Sequence, residues 1–185
     1  MTRELALLLF IYGPLMAVVA LFLVFFLLAP VLGGPFVPTP HGQVQDAMRL
    51  ARPRPGEIFV DLGSGDGRLL LAAASAGARA VGYEINPVLV LVSRLDLWWA
   101  GLSSRAEVRM RSYWPADLSD ADVIAVYGIT YLMPRLATKL LREAKPGCRV
   151  VSVDFEFSGW TPVWSCGSVH LYVPRPAGKA ESSRA

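Results

Sequence analysis

One run in this chain has residue types and spacing that could do chemistry. It is Val60-Asp61-Leu62-Gly63-Ser64-Gly65-Asp66-Gly67-Arg68, followed by Tyr83-Glu84, with Glu84 seventeen residues past Gly67. Glycines at alternate positions let the main chain approach a ligand closely and take positive φ. An acid at the end of the next apolar run can accept hydrogen bonds from two ribose hydroxyls. The spacing is G-x-G-x-G, not the G-x-G-x-x-G of a dinucleotide site, where a pyrophosphate rests on a helix N-terminus. Asp61 before the turn and Asp66 inside it would repel a pyrophosphate. Taken alone, the glycines also suit a purely structural turn. With the two acids and Glu84 added, they favour a nucleoside that carries cations instead of phosphates. S-adenosylmethionine, with its sulfonium and ammonium, is such a ligand.

These residues need a scaffold that brings Glu84 beside the turn. Ile58-Phe59-Val60 is a short apolar, β-rich run behind the turn pair Pro55-Gly56, and Leu69 to Ala76 has the pattern of a helix. Ala80-Val81-Gly82-Tyr83 reads as a second strand ending in Glu84. Strand, turn, helix, strand is the βαβ unit of a parallel sheet, whose ligands sit outside the carboxyl ends of the strands. Val44 to Leu50 is expected to be a helix over one edge of the sheet. Pro87 opens another, which carries Val88, Leu91, Val92, Leu95 and Trp99 at helical spacing. Trp98-Trp99 is expected to pack in the core, as aromatics on sheet-covering helices usually do. Ala106 to Met110, Val123 to Tyr127 and Arg149 to Asp154 read as further strands, with a helix from Leu132 to Glu143 that Lys145-Pro146-Gly147 ends. Val163 to Cys166 and Val169 to Val173 flank Gly167-Ser168, a hairpin signal. The sum is an α/β fold with seven strands.

At 185 residues the chain has room for one such domain and one extra element. That element is at the start, because no charged residue occurs from Leu5 to Val31. As a helix this run would extend about 40 Å at about 1.5 Å per residue, past a hydrocarbon core of about 30 Å. It is expected to cross a membrane; the apolar core of a cleaved signal peptide is shorter. The expected division is a transmembrane anchor over 1–32, a Pro/Gly linker over 33–40, a folded domain over 41–173 and a disordered tail over 174–185. Arg49, Arg52 and Arg54 follow the apolar run, which predicts a single-pass membrane protein with its domain facing the cytoplasm. The formal net charge is only +3, and these arginines make the lipid bilayer a nearer partner than nucleic acid. Cys148 and Cys166 lack C-x-x-C spacing, and His41 and His170 lack ligand spacing, so reduced thiols and no metal site are expected.

At this point a resemblance becomes specific. Phe36-Val37-Pro38-Thr39-Pro40, the run from Val60 to Arg68, Val81-Gly82-Tyr83-Glu84-Ile85-Asn86-Pro87 and Ser93-Arg94-Leu95 resemble the small membrane-anchored class I methyltransferases. Among these the chain is most similar to the family of mitochondrial protein-lysine methyltransferases acting on the ATP synthase c-subunit and the adenine nucleotide translocase. The likeness continues through Leu118-Ser119-Asp120, Met133-Pro134-Arg135-Leu136, Pro146-Gly147 and Gly159-Trp160. It implies a Rossmann-like, seven-stranded class I methyltransferase fold preceded by one transmembrane helix, with S-adenosylmethionine as cofactor and a lysine of a membrane protein as substrate. The cofactor residues it implies are Asp61, Gly63, Ser64, Gly65, Gly67, Glu84 and Asn86. Where the family has an acid near the adenine amino group, this chain has Ser112.

Methyl transfer is an in-line displacement, so positioning supplies much of the rate. A lysine nucleophile with a pKa near 10.4 must first lose its proton, at roughly 4–5 kcal/mol at pH 7. Tyr127, ending the fourth strand, and Glu156, just after the fifth, stand where a proton acceptor is needed, and either position also suits a structural role. Methyltransferases of planar amides and nucleobases often carry an N-P-P-Y type motif after strand four; Val126-Tyr127-Gly128-Ile129 here argues against nucleobases. A lipid or quinone methyltransferase, or a non-catalytic S-adenosylmethionine-binding membrane module, fits the same anchor and glycine turn.

Overall fold

The computed structural model describes residues 10, 12–24, 37–128 and 130–174. The chain divides into two compact units between Pro35 and Phe36. In the first, residues 12–24 form helix α1. The expected span of 5–32 thus lies partly outside the described residues, and among those described no helix is long and apolar enough to cross a membrane. Residues 33–36 of the expected linker and 175–185 of the expected tail also lie outside them.

In the second unit, β1 (Ile58–Leu62) is buried along almost its whole length, which only an interior strand of a sheet covered on both faces allows. It pairs in parallel with β2 (Arg79–Glu84) on one side and β4 (Val123–Val126) on the other. Beyond them lie β3 (Ala106–Met110) and β5 (Arg149–Val153), both parallel. β7 (Val169–Tyr172) and then β6 (Trp164–Cys166) complete the sheet in antiparallel pairing, giving the order β3-β2-β1-β4-β5-β7-β6. Seven strands, five parallel and a closing hairpin, match the sequence expectation. The chain leaves β1 in opposite directions toward β2 and β4, so the crevice at the carboxyl end of β1 is the topological switch point where such sheets bind ligands.

Helices α2 (His41–Ala51), α3 (Arg68–Ser75) and α4 (Pro87–Trp99) cover one face, where Ala47, Leu70, Ala73 and Val90 meet Phe59, Val123 and Val151. Helix α5 (Met133–Glu143) covers the other with Leu136 and Leu140 over Val60, Ile124 and Val150. Pro at the first turn and the Asn86 side chain, which accepts from Val88 N at 2.9 Å, start α4.

One core assignment is corrected. Trp98 and Trp99 are 65% and 74% exposed, and Val88, Leu91, Val92 and Leu95 face outward with them. The face of α4 that meets the sheet is the narrower one, with Val90, Ser93 and Leu97. α4 stands over β2 and the edge strand β3, and among the described elements of this unit none packs on its outer side.

Candidate functional site

The turn after β1 is held from below by β2: Gly63 N and Ser64 N both donate to Tyr83 O at 3.0 Å. Gly63 has φ +98°, and a Cβ there would meet no atom within 4 Å, so glycine is required by conformation while the space beside it stays open. Gly67 has φ +83° and also a packing reason, since a Cβ would lie 2.0 Å from Ser93 Oγ on α4. Glycine here lets the start of α3 approach α4.

Glu84 closes the turn from the end of β2. Its Oε2 accepts from Gly65 N at 2.9 Å, and its Oε1 accepts from Ile85 N and Asn86 N, each at 2.8 Å. A carboxylate has about four acceptor positions. Three are taken, which leaves one on Oε2 for a ribose hydroxyl; a second hydroxyl would have to displace an amide.

The two acids of the motif have different fates. Asp66 is paired with Arg68, whose Nε donates to its two oxygens at 2.9 and 3.1 Å. Arg68 Nη1 also reaches Thr39 O, which ties the turn to the segment entering α2. Asp61 is 2% exposed and accepts no hydrogen bond among the described residues. Burial, reinforced by the charges of Glu84 and Asp66, pushes its pKa up to about 8. A buried carboxyl group without a donor, at the switch point, is a site for a cation that brings its own N–H groups. The ammonium of S-adenosylmethionine meets that description, so the donor and acceptor set fits this cofactor.

The other residues expected here divide in the same way. Ser64 turns its Oγ inward, where a Cβ on Gly82 would lie 2.6 Å away, and this oxygen has no partner among the described residues. Asn86 spends its Oδ1 on the α4 cap. Ser112 Oγ lies 3.3 Å from Trp114 N, which donates to it. The indole of Trp114 is covered by the Arg135 guanidinium 4.0 Å from its centroid, which joins the loop after β3 to the start of α5.

Beyond β4 and β5 the structure joins groups that the sequence did not link. β4 ends at Val126 and β5 at Val153, one residue earlier than expected, so Tyr127 and Asp154 stand free of the ladder at the carboxyl edge. Asp154 takes φ +62°, a left-handed conformation uncommon for a residue with a side chain. Tyr127 OH donates to Asp154 Oδ2 at 2.8 Å, while Gln43 Nε2 and Ser168 Oγ donate to Oδ1, each at 2.5 Å. Partial burial raises the Asp154 pKa, but the bonds from Ser168, Tyr127 and Gln43 outweigh it and hold the group below the usual carboxylate range. Burial and the bond to Asp154 push Tyr127 up to about 12. Tyr127 therefore keeps its proton at neutral pH, and the anion of the cluster is Asp154. Gln43 Oε1 is buried beside it with no donor among the described residues.

Sequence reasoning named Tyr127 but missed Asp154, Gln43 and Ser168. The available signal for Asp154 was its place as the first polar residue at the carboxyl end of an apolar strand; Gln43 and Ser168 are brought in by α2 and the β6–β7 turn over more than a hundred residues of chain in one case and fourteen in the other. Glu156 is mostly exposed and faces His170 Nε2 at 3.6 Å, with no bond to the Tyr127–Asp154 pair among the described residues.

A seven-stranded sheet with a reversed last strand and a glycine turn at its switch point defines a class I methyltransferase fold. A solved RNA methyltransferase from Salinibacter ruber, in complex with S-adenosyl-L-homocysteine, superposes with a TM-score of 0.71 over 80% of this chain and 98% of its own at 33% identity. The chain belongs to the ANTKMT methyltransferase domain family, whose pattern matches residues 61–164. It is 41% identical over 133 residues to the mouse ATP synthase c-subunit lysine N-methyltransferase, across 72% of this chain and 53% of the mouse protein. It is 36% identical to a protein-lysine N-methyltransferase of Saccharolobus islandicus (strain REY15A), across 69% of this chain and 81% of that one. The chain thus spans about half the length of the mouse relative.

Proposed function

We propose that this protein transfers a methyl group from S-adenosylmethionine to the ε-amino group of a lysine on a membrane protein, working at the membrane surface from the cytoplasmic side. The observation that carries the acceptor assignment is the ionised Asp154, exposed at the open carboxyl edge and held there by Tyr127, Gln43 and Ser168. An exposed, oriented anion suits a group that arrives as an ammonium. The uncharged run from Leu5 to Val31 supports an anchor that confines enzyme and substrate to one surface.

The cofactor supplies an electrophilic methyl carbon on a sulfonium. Glu84 would hold its ribose through the remaining position on Oε2, and Asp61 would hold its ammonium, surrendering a proton as it does so. Asp154 binds and orients the lysine. Its pKa lies far below that of an amine, so it does not act as the base, and the lysine proton leaves to water at this exposed edge. The Asp154 carboxylate would stabilise the positive charge that develops on the lysine nitrogen. Tyr127 holds the carboxylate in place.

Membranes from a strain lacking the protein, incubated with the purified chain and methyl-labelled S-adenosylmethionine, test this reading. Methyl-lysine in a hydrolysed membrane-protein band is expected. Label confined to the organic extract, to RNA or to soluble protein would overturn it. Removing residues 1–32 is expected to spare cofactor binding and sharply reduce labelling of the membrane substrate.

A further inference from the structure

The outer side of α4 is more apolar than the side that packs on the sheet. Val88, Leu91, Val92, Leu95, Trp98 and Trp99 are all exposed. With 3.6 residues per turn they fall within an arc of about 120°, opposite Val90 and Leu97. The two indoles at their observed exposure leave on the order of 300 Å² open. The four aliphatic side chains carry the patch past the few hundred Å² that a soluble monomer ordinarily exposes in one piece.

The surroundings of the stripe are basic. Arg94 lies along its flank and is fixed by donating to Val108 O at 2.8 Å. At the Trp98-Trp99 end, Arg79 and Arg105 are exposed at the starts of β2 and β3, which lie side by side, with Ala80 N bonded to Arg105 O at 2.8 Å. None of these three arginines forms an ion pair among the described residues. The single acid on the helix is Asp96. A two-fold contact with a second copy would set these arginines against one another. Anionic headgroups would neutralise them, and paired indoles beside a basic fringe are suited to the boundary between headgroups and acyl chains.

We infer that α4 is a membrane-docking surface that lies on an anionic lipid bilayer, with Trp98 and Trp99 at the headgroup level. The inference stands on residues 79–111 and needs neither the apolar run at the start of the chain nor the methyl-transfer reading. The stripe begins at Val88, four residues past Glu84. Docking along it would bring the carboxyl edge of the sheet down toward the headgroups.

Tryptophan emission from the full chain, reconstituted in vesicles with brominated acyl chains, tests the surface. All five tryptophans lie between residues 98 and 164, so quenching does not report on the apolar run at the start. In vesicles of phosphatidylcholine with phosphatidylglycerol, up to about two fifths of the emission should be quenched, the share of two tryptophans in five. Phosphatidylcholine alone should give much less. Trp98→Gln with Trp99→Gln should abolish the quenched fraction, with thermal unfolding as the control for folding. If that variant does not fold, the comparison of the two vesicle compositions with wild-type protein decides. No quenching in anionic vesicles, equal quenching in the two compositions, an unchanged fraction in the folded double variant, or a dimer whose formation hides the indoles would each overturn the proposal.

Discussion

Replacing Asp61 by Asn should make the protein more stable while impairing cofactor binding, and the gain should grow as pH rises. The folded state raises the Asp61 pKa from 3.8 to about 8. Between these values the unfolded chain has released the proton and the folded chain still holds it. Stability is therefore greatest below about pH 4 and is lost as pH rises toward about 8, at about 1.36 kcal/mol per pH unit. From pH 5 to 7 the wild type should lose roughly 2–3 kcal/mol relative to Asp61→Asn. At about 2–4 °C per kcal/mol for a chain of this size, the difference in Tm should widen by roughly 4–12 °C. Taking the difference between the two proteins cancels the titration of every group that does not interact with Asp61, which leaves only Glu84 and Asp66 coupled to it. Thermal unfolding by circular dichroism at pH 5, 6 and 7 measures it, and Tm curves that run parallel would refute the argument. Calorimetry in buffers of different ionisation heat supplies the second arm. At pH 7 binding of S-adenosylmethionine should expel most of one proton from wild type, as a group whose pKa lies above 7 requires, and none from this position in the Asn variant.

Glu84→Ala should weaken S-adenosylmethionine by about 1.5–3 kcal/mol, the range for a hydrogen bond to a charged group, as read by calorimetry. Asp154→Asn should lower kcat/KM for the lysine substrate by about 10- to 100-fold on the same scale while leaving cofactor affinity unchanged, and unchanged turnover would remove Asp154 from the site. Gly67→Ala should cost about 2–4 kcal/mol in denaturant unfolding, from its positive φ and the contact with Ser93 together.

The sheet could be read along the chain because its strands are short apolar runs between turn residues, and a parallel order follows once Glu84 must stand beside the glycine turn. β3 has the expected bounds, Ala106–Met110. The outer side of α4 could not be read in this way. Helical spacing identifies an apolar stripe but not what it faces, and here the stripe and the buried side are different sets of residues. For the site, the motif named the turn and its acids but not their states. That Arg68 takes Asp66 and leaves Asp61 alone depends on side-chain geometry two residues apart. The Asp154 cluster is assembled from α2, β4, β5 and the last hairpin, and no local pattern signals such a meeting.

The reversed direction of β7 has a consequence for how such a protein can change. Because β7 runs against β5, the turn at Gly167-Ser168 falls at the carboxyl edge, where Asp154 N bonds to Ser168 O at 2.9 Å. On the proposed function, the cofactor end of the crevice is built from β1, β2 and the turns that follow them, while the acceptor end is walled by the last hairpin. Lengthening or reshaping that hairpin would then alter which side chains can enter without touching a single residue of the glycine turn. On that reading selectivity and cofactor use would be written in separate stretches of the chain, and substrate preference would be free to drift through the hairpin while the methyl-donor end stays fixed.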